Sequence, residues 1–168
     1  FEFVKSSAPL TVVLTNGTTK TVNALTVGAG NVNAFIGTGD PDSNGDGKFD
    51  QNDDPAGNGA IGLAIADLDF GLALFKPVAV ADSSSYYALK ATAAGISLVG
   101  VPGVGIQTTM LTVSVNGASA PSAGGSTPTG PPPASNFGAA GSSFGSSGYV
   151  VGIGGGDTVL LTLTSRQV

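Results

Sequence analysis

Leu10-Thr11-Val12-Val13-Leu14-Thr15, then Asn16-Gly17, then Thr19-Lys20-Thr21-Val22-Asn23-Ala24-Leu25-Thr26-Val27 is a pair of β-branched, alternating runs on either side of an Asn-Gly step. Branched side chains suit a pleated, half-buried surface. Asn-Gly supplies the two positive-φ residues that a type I′ hairpin turn needs. The stretch therefore reads as a β-hairpin, and the same texture recurs along the chain.

Upstream, Phe1-Glu2-Phe3-Val4-Lys5 alternates large apolar and charged residues, as a short strand does. Downstream, Asn31 to Ile36 reads as a short strand or a single helical turn. Ala60 to Phe75 is the longest apolar stretch, too rich in Gly and too regularly alternating for a helix. Ile61, Leu63 and Ile65 share one parity and Leu68, Phe70, Leu72 and Leu74 the other, which predicts a bulge or bend near Asp67. Tyr86 to Thr92, Ile96 to Val99 and Ile106 to Asn116 read as further strands, followed by a closing hairpin of Tyr149 to Ile153 and Thr158 to Thr164. About ten strands with short turn spacing and no helical pattern define an all-β sandwich or barrel. The expected organisation is a sandwich core over residues 1–116, an arm over 117–148, and a hairpin in 149–168 that completes the sheet.

The arm differs in character. Gly, Pro and Ser make up 21 of its 32 residues, including Pro131-Pro132-Pro133, and no charged residue occurs between Lys90 and Asp157. Such a composition does not build a core of its own. It reads as an extended segment that gains order by lying against other protein.

Charge is concentrated in one place. The chain has 11 acidic and 6 basic residues, for a net charge of −5. Six of those acids and one base fall within Asp40 to Asp54, so the loop holds the whole net charge and the remaining acids and bases cancel. Carboxylates this dense repel one another unless a cation sits among them. With Asp42 as position 1, Asn44 stands at 3, Asp46 at 5, Gly47 at 6, Lys48 at 7, Asp50 at 9 and Asp53 at 12. That spacing is the D-x-[DN]-x-[DN]-G template of a calcium loop, with Asp in place of Glu at the end. Oxygens at alternate residues converge on a hard cation, and Gly at position 6 permits the sharp turn. Lys48 would give its backbone carbonyl, Asp50 would act directly or through water, and Asp53 would close the site with both oxygens. Asp67 and Asp69, on one strand face, read either as a second cation site or as a solvated surface.

Composition excludes several function classes. With no His and no Cys, His-based triads, thiol nucleophiles, His-ligated zinc and disulfides are ruled out. Adjacent strand carboxylates such as Asp67 and Asp69 project in parallel and do not flank a substrate, so the chain does not read as an enzyme. A sequence pI near 4.2 argues against nucleic acid and anionic membrane surfaces. No apolar run reaches the roughly 20 residues of a membrane span. Charged residues are 10% of the chain, low enough to predict a surface covered by neighbouring copies or by glycans. Asn16-Gly17-Thr18 is an N-glycosylation triplet at a turn tip. The chain starts at Phe1 without a charged-then-apolar leader, and reads as a mature product or one module of a longer protein.

The calcium loop, through Asp at its last position, resembles those of dockerins and secreted bacterial calcium modules. The resemblance stops at the loop, since Pro55 and Gly57-Asn58-Gly59 are unlike the exiting helix of an EF-hand. A wider likeness is carried by Phe3-Val4-Lys5-Ser6, Asn23-Ala24-Leu25-Thr26-Val27, Asn31-Val32-Asn33-Ala34-Phe35, Ile61-Gly62-Leu63 and Tyr86-Tyr87-Ala88-Leu89-Lys90-Ala91. It continues through Leu98-Val99-Gly100-Val101-Pro102-Gly103 and Val113-Ser114-Val115-Asn116. In this order they resemble repeat modules of very large, adhesin-like bacterial surface proteins with acidic calcium loops between strands. The resemblance covers residues 1–116 and implies an extracellular structural role, with copies of the same module as partners. Two readings follow: a calcium-stabilised subunit or module of a filament or surface assembly, joined by strand addition in a homopolymer or as tandem repeats, and a calcium-dependent adhesive or carbohydrate-binding module. Sugar-binding modules favour aromatic platforms, whereas this chain has no Trp and three Tyr, two of them neighbours (Tyr86 and Tyr87) that point to opposite strand faces.

Overall fold

The computed structural model describes residues 1–119 and 130–167. Among them there are nine strands and no helix: β1 (Glu2–Lys5), β2 (Leu10–Val13), β3 (Thr19–Thr38), β4 (Ile61–Pro77), β5 (Ser85–Val99), β6 (Ile106–Thr108), β7 (Leu111–Ser119), β8 (Tyr149–Gly154) and β9 (Asp157–Leu161). The protein is all-β. In the seven-stranded sheet β1 and β2 both pair with β3, β3 with β4, β4 with β5, and β5 with both β6 and β7. Strands β8 and β9 form a separate two-stranded antiparallel sheet.

The Leu10–Val27 hairpin forms with Val13 opposite Thr19, but its turn is not type I′. Only Gly17 takes positive φ, at 81°, while its N–H donates to the Leu14 carbonyl and Leu14 N–H to that of Thr18. This is a three-residue turn with glycine at the left-handed position. The Asn16 side chain works instead as an acceptor, taking the Thr18 amide at 3.1 Å and its hydroxyl at 2.7 Å.

Strand lengths differ from the sequence expectation where special backbone positions let the chain continue. Thr19 to Val27 and Asn31 to Ile36 belong to one 20-residue strand, β3, with Asn31 at φ 54° inside it. Strand β4 contains the expected irregularity, with Asp67 at φ 51°. The two positions are tied together: Asn31 N–H donates to Asp69 Oδ1 at 2.8 Å and Asp67 N–H to Asn33 Oδ1 at 3.1 Å. Asn and Asp are the residues that tolerate this conformation best. Tyr86 to Thr92 and Ile96 to Val99 likewise merge into β5, through the small residues Ala93, Ala94 and Gly95. Ile106 to Asn116 instead divides into β6 and β7 at a turn where Thr108 Oγ1 donates to the Met110 carbonyl.

The chain forms two compact units. The first comprises Phe1–Ala29, Phe70–Lys90 and Val113–Val168; the second comprises Gly30–Asp69 and Ala91–Thr112. The first unit is a β-sandwich with one core, built on Val12, Leu14, Val22, Ala24, Ala73, Phe75, Tyr86, Ala88, Phe137, Val151 and Leu161. The β8–β9 hairpin does not extend the large sheet, as the sequence suggested, but forms the facing layer. Gly71 marks the contact, since a Cβ there would lie 2.9 Å from Val159 Cβ and 3.0 Å from Val151 Cβ.

The reading of 117–148 as an arm apart from the core also changes. Residues 120–129 lie outside the described residues, but Ala134 and Phe137 are fully buried and Phe144 packs against the same core. Phe137 stacks on Phe144 with centroids 5.5 Å apart, and Phe144 meets Tyr149 at 5.2 Å. Two aromatic rings offset the poverty of the surrounding Gly, Ser and Pro, because each buries a large apolar area. The segment also covers the outer edge of β2, where Asn136 N–H donates to the Val13 carbonyl and Ser143 N–H to that of Thr11.

The second unit has Ala60 and Ala93 as its buried apolar residues. Here β3 and β4 approach closely at Gly37 and Gly62, and the Phe35 ring lies over both, 2.8 Å from where either Cβ would stand.

Candidate metal centre

The acidic loop joins β3 to β4 in the second unit. Its position is fixed at three points. Phe49, inside the loop, meets Phe35 edge-on with centroids 5.9 Å apart. Asn58 Nδ2 donates to the carbonyls of Asp40 at 3.0 Å and Asp42 at 3.2 Å, drawing the two ends of the loop together. Ala60 N–H donates to the Pro55 carbonyl.

Within the loop the carboxylates collect backbone amides. Asp42 Oδ1 accepts from Gly45 at 2.7 Å and Asp46 at 3.2 Å, and its Oδ2 from Gly47 at 2.7 Å. Asn44, Asp46 and Asp50 each accept the amide two residues on, from Asp46, Lys48 and Asn52. Gly45 and Gly47 make the curl feasible, at φ 74° and 84°. Asp53 closes the loop from the far end: Oδ1 accepts the Ser43 and Asn44 amides and the Ser43 hydroxyl, and Oδ2 accepts the Asp50 amide. The Asp50 amide is the leading reason that the Asp53 carboxyl is held below the ordinary carboxylate range; desolvation opposes it, and the Ser43 and Asn44 amides and the Ser43 hydroxyl add to the lowering.

All six expected ligands, Asp42, Asn44, Asp46, Lys48, Asp50 and Asp53, therefore sit on one curled loop, but its acids are not gathered at one point. Among the described residues no three acidic, His or Cys side chains have the mutual spacing of a metal site. The donor set nevertheless suits a hard cation, being all oxygen. A carboxylate has about four acceptor positions; Asp46 and Asp50 each give one to an amide, leaving capacity for an ion. Asp53 uses both oxygens on the loop itself. Ser43 and Asn58, which the sequence reading passed over, act as clamps rather than ligands; an Asn directly before Gly59 was the signal for one of them.

Asp67 and Asp69 belong to the paired irregularity in β3 and β4. Asp69 is engaged by the Asn31 amide, and Asp67 holds the left-handed backbone position beside it.

No protein-family model, curated protein or solved structure matches this chain.

Proposed function

We propose that this chain is a structural subunit or module of an extracellular filament or surface assembly, stabilised by calcium, whose neighbours join by strand addition. The observation that carries the reading is the acidic loop: an otherwise charge-balanced chain holds its entire net charge on one curl built from oxygen donors at calcium-loop spacing. Amides and glycines shape the curl, and Asp46 and Asp50 each keep oxygen capacity for a cation that draws the carboxylates together. The likeness to repeat modules of large bacterial surface proteins supports the same role.

Strand β1 supports the assembly half of the reading. It pairs with β3 on one side only, from Glu2 opposite Gly28 to Lys5 opposite Leu25. Its four residues are all exposed, with Phe3 at 60%, and Phe1 beside it is at 78%. An open edge with aromatic side chains is a template for a neighbour's strand.

Melting curves with saturating calcium and with chelator test the first half. Extracellular sites typically have dissociation constants of about 10⁻⁴–10⁻³ M, so millimolar calcium stabilises by about 1 kcal/mol. Superimposable curves overturn the calcium reading.

A further inference from the structure

We propose that the outer face of the first unit's sheet carries a binding groove for an anionic amphiphile, a medium-chain fatty carboxylate in its simplest form. The groove encloses about 410 Å³, and its walls include Lys5, Asn23, Leu25, Leu74, Lys76 and Tyr87. That volume falls within the range of small-molecule sites, roughly 300–1,000 Å³.

The register shows how the sequence builds it. Side chains alternate across a strand, and Ala24, Ala73, Phe75, Tyr86 and Ala88 point into the core. Their neighbours Leu25, Leu74, Lys76 and Tyr87 therefore share the opposite face. Lys5 stands directly across from Leu25, so it joins them, and Phe3 across from Val27 extends the apolar surface. Tyr87 reaches over Gly117 of β7, which leaves it room: a Cβ there would be 2.5 Å from the hydroxyl end of the ring. An apolar trough floored by leucine and an aromatic ring results.

Charge selects the occupant. The chain has only 6 basic residues, yet two line this groove, and no acidic residue does. The Lys76 ammonium is held in place by the carbonyls of Ser83 at 2.9 Å and Ser84 at 3.0 Å, with one proton left to donate. Glu2, the nearest acid in sequence to Lys5, lies on the other face against Gly152. A second copy docking face to face would bring the lysines of both copies together with no acid between them. An apolar chain ending in a carboxylate meets both requirements: the chain covers Leu25, Leu74 and Tyr87, and the head sits at the lysines. This inference is independent of the calcium loop; it shares Phe3 and Lys5 with the β1 edge, and Leu74→Asp, on β4, separates the two readings.

The test titrates the full chain with sodium decanoate, acetate and decyltrimethylammonium, following amide shifts by NMR. Decanoate should saturate and move the amides of Leu25, Leu74, Lys76 and Tyr87, while acetate should not bind. Lys5→Gln should weaken decanoate several-fold, and Leu74→Asp, at a position 37% exposed and so outside the core, should abolish binding with melting unchanged. Decyltrimethylammonium binding as tightly as decanoate would show a merely greasy surface and overturn the proposal. So would shifts confined to another region, absence of decanoate binding, or a dimer in sedimentation that Leu74→Asp dissociates.

Discussion

Asn116 is fully buried, and its side-chain amide donates to the carbonyls of Ser135 and Ser165 at 2.8 Å each. Its backbone exchanges hydrogen bonds with Gln167 in both directions. One side chain thus fastens the Pro/Gly/Ser segment and the C-terminal stretch to β7. Asn116→Leu removes both donors and leaves carbonyls without partners, at an expected cost of about 2–4 kcal/mol, measurable by urea denaturation. A second residue-scale prediction concerns Asp82. The Lys20 ammonium, 2.6 Å away, and then the Ser84 hydroxyl and amide hold its carboxyl down to about 2. A depressed acid contributes stability that is present above its ordinary range and lost as pH falls through the folded value. Native protein should therefore lose stability between about pH 4 and pH 2 with a component, at most about 1 kcal/mol for so accessible a pair, that Asp82→Asn lacks. On the basic side, the same ion pair raises Lys20, whose contribution is complete below its ordinary pKa and fades as pH climbs through the raised one. Neither feature was visible in the sequence, because Lys20 lies on β3 and Asp82 in the loop between β4 and β5, and nothing local marks them as partners.

At the scale of elements, periodicity carried the strands themselves. Leu10–Val27 announced its hairpin, and the parity switch in Ala60–Phe75 located the irregularity at Asp67. Layer assignment was not legible in the same way, because an alternating hairpin such as Tyr149–Leu161 can either extend a sheet or face one. The deciding contact is Gly71 against Val151 and Val159, far apart in sequence. Gly71→Ala should force the hairpin away from β4 and cost about 1–3 kcal/mol in a thermal or denaturant melt. Strand β1 supplies the opposite case. None of its residues is buried, so deleting residues 1–5 should leave the subunit folded and near its native melting temperature. Electron micrographs of that truncated protein should show loss of assembly; filaments of normal appearance would remove β1 as the link.

For the molecule as a whole, alternation and turn spacing were a sound guide to class, and composition a poor one to where the core lies. The Gly, Pro and Ser content of 117–148 marked it as an arm, yet Phe137 and Phe144 turn that stretch into core. The acidic loop was legible in spacing, whereas the Ser43 clamp was not, since its hydroxyl and amide meet Asp53 ten residues further along. Asp46→Ala should reduce the calcium-dependent rise in melting temperature while leaving the chelator curve almost unchanged. Asp42→Ala should lower both curves, because Asp42 gathers three amides whether or not an ion is present. The amide pattern of this loop also makes it a built-in reporter. A backbone proton held by a side-chain oxygen trades with solvent more slowly than a free one. Deuterium uptake at Gly47 therefore reports whether the Asp42 contact is made, uptake at Lys48 the Asp46 contact, and uptake at Asn52 the Asp50 contact. Three peptide hydrogens thus follow the curl residue by residue, with and without calcium, and no label is attached to it.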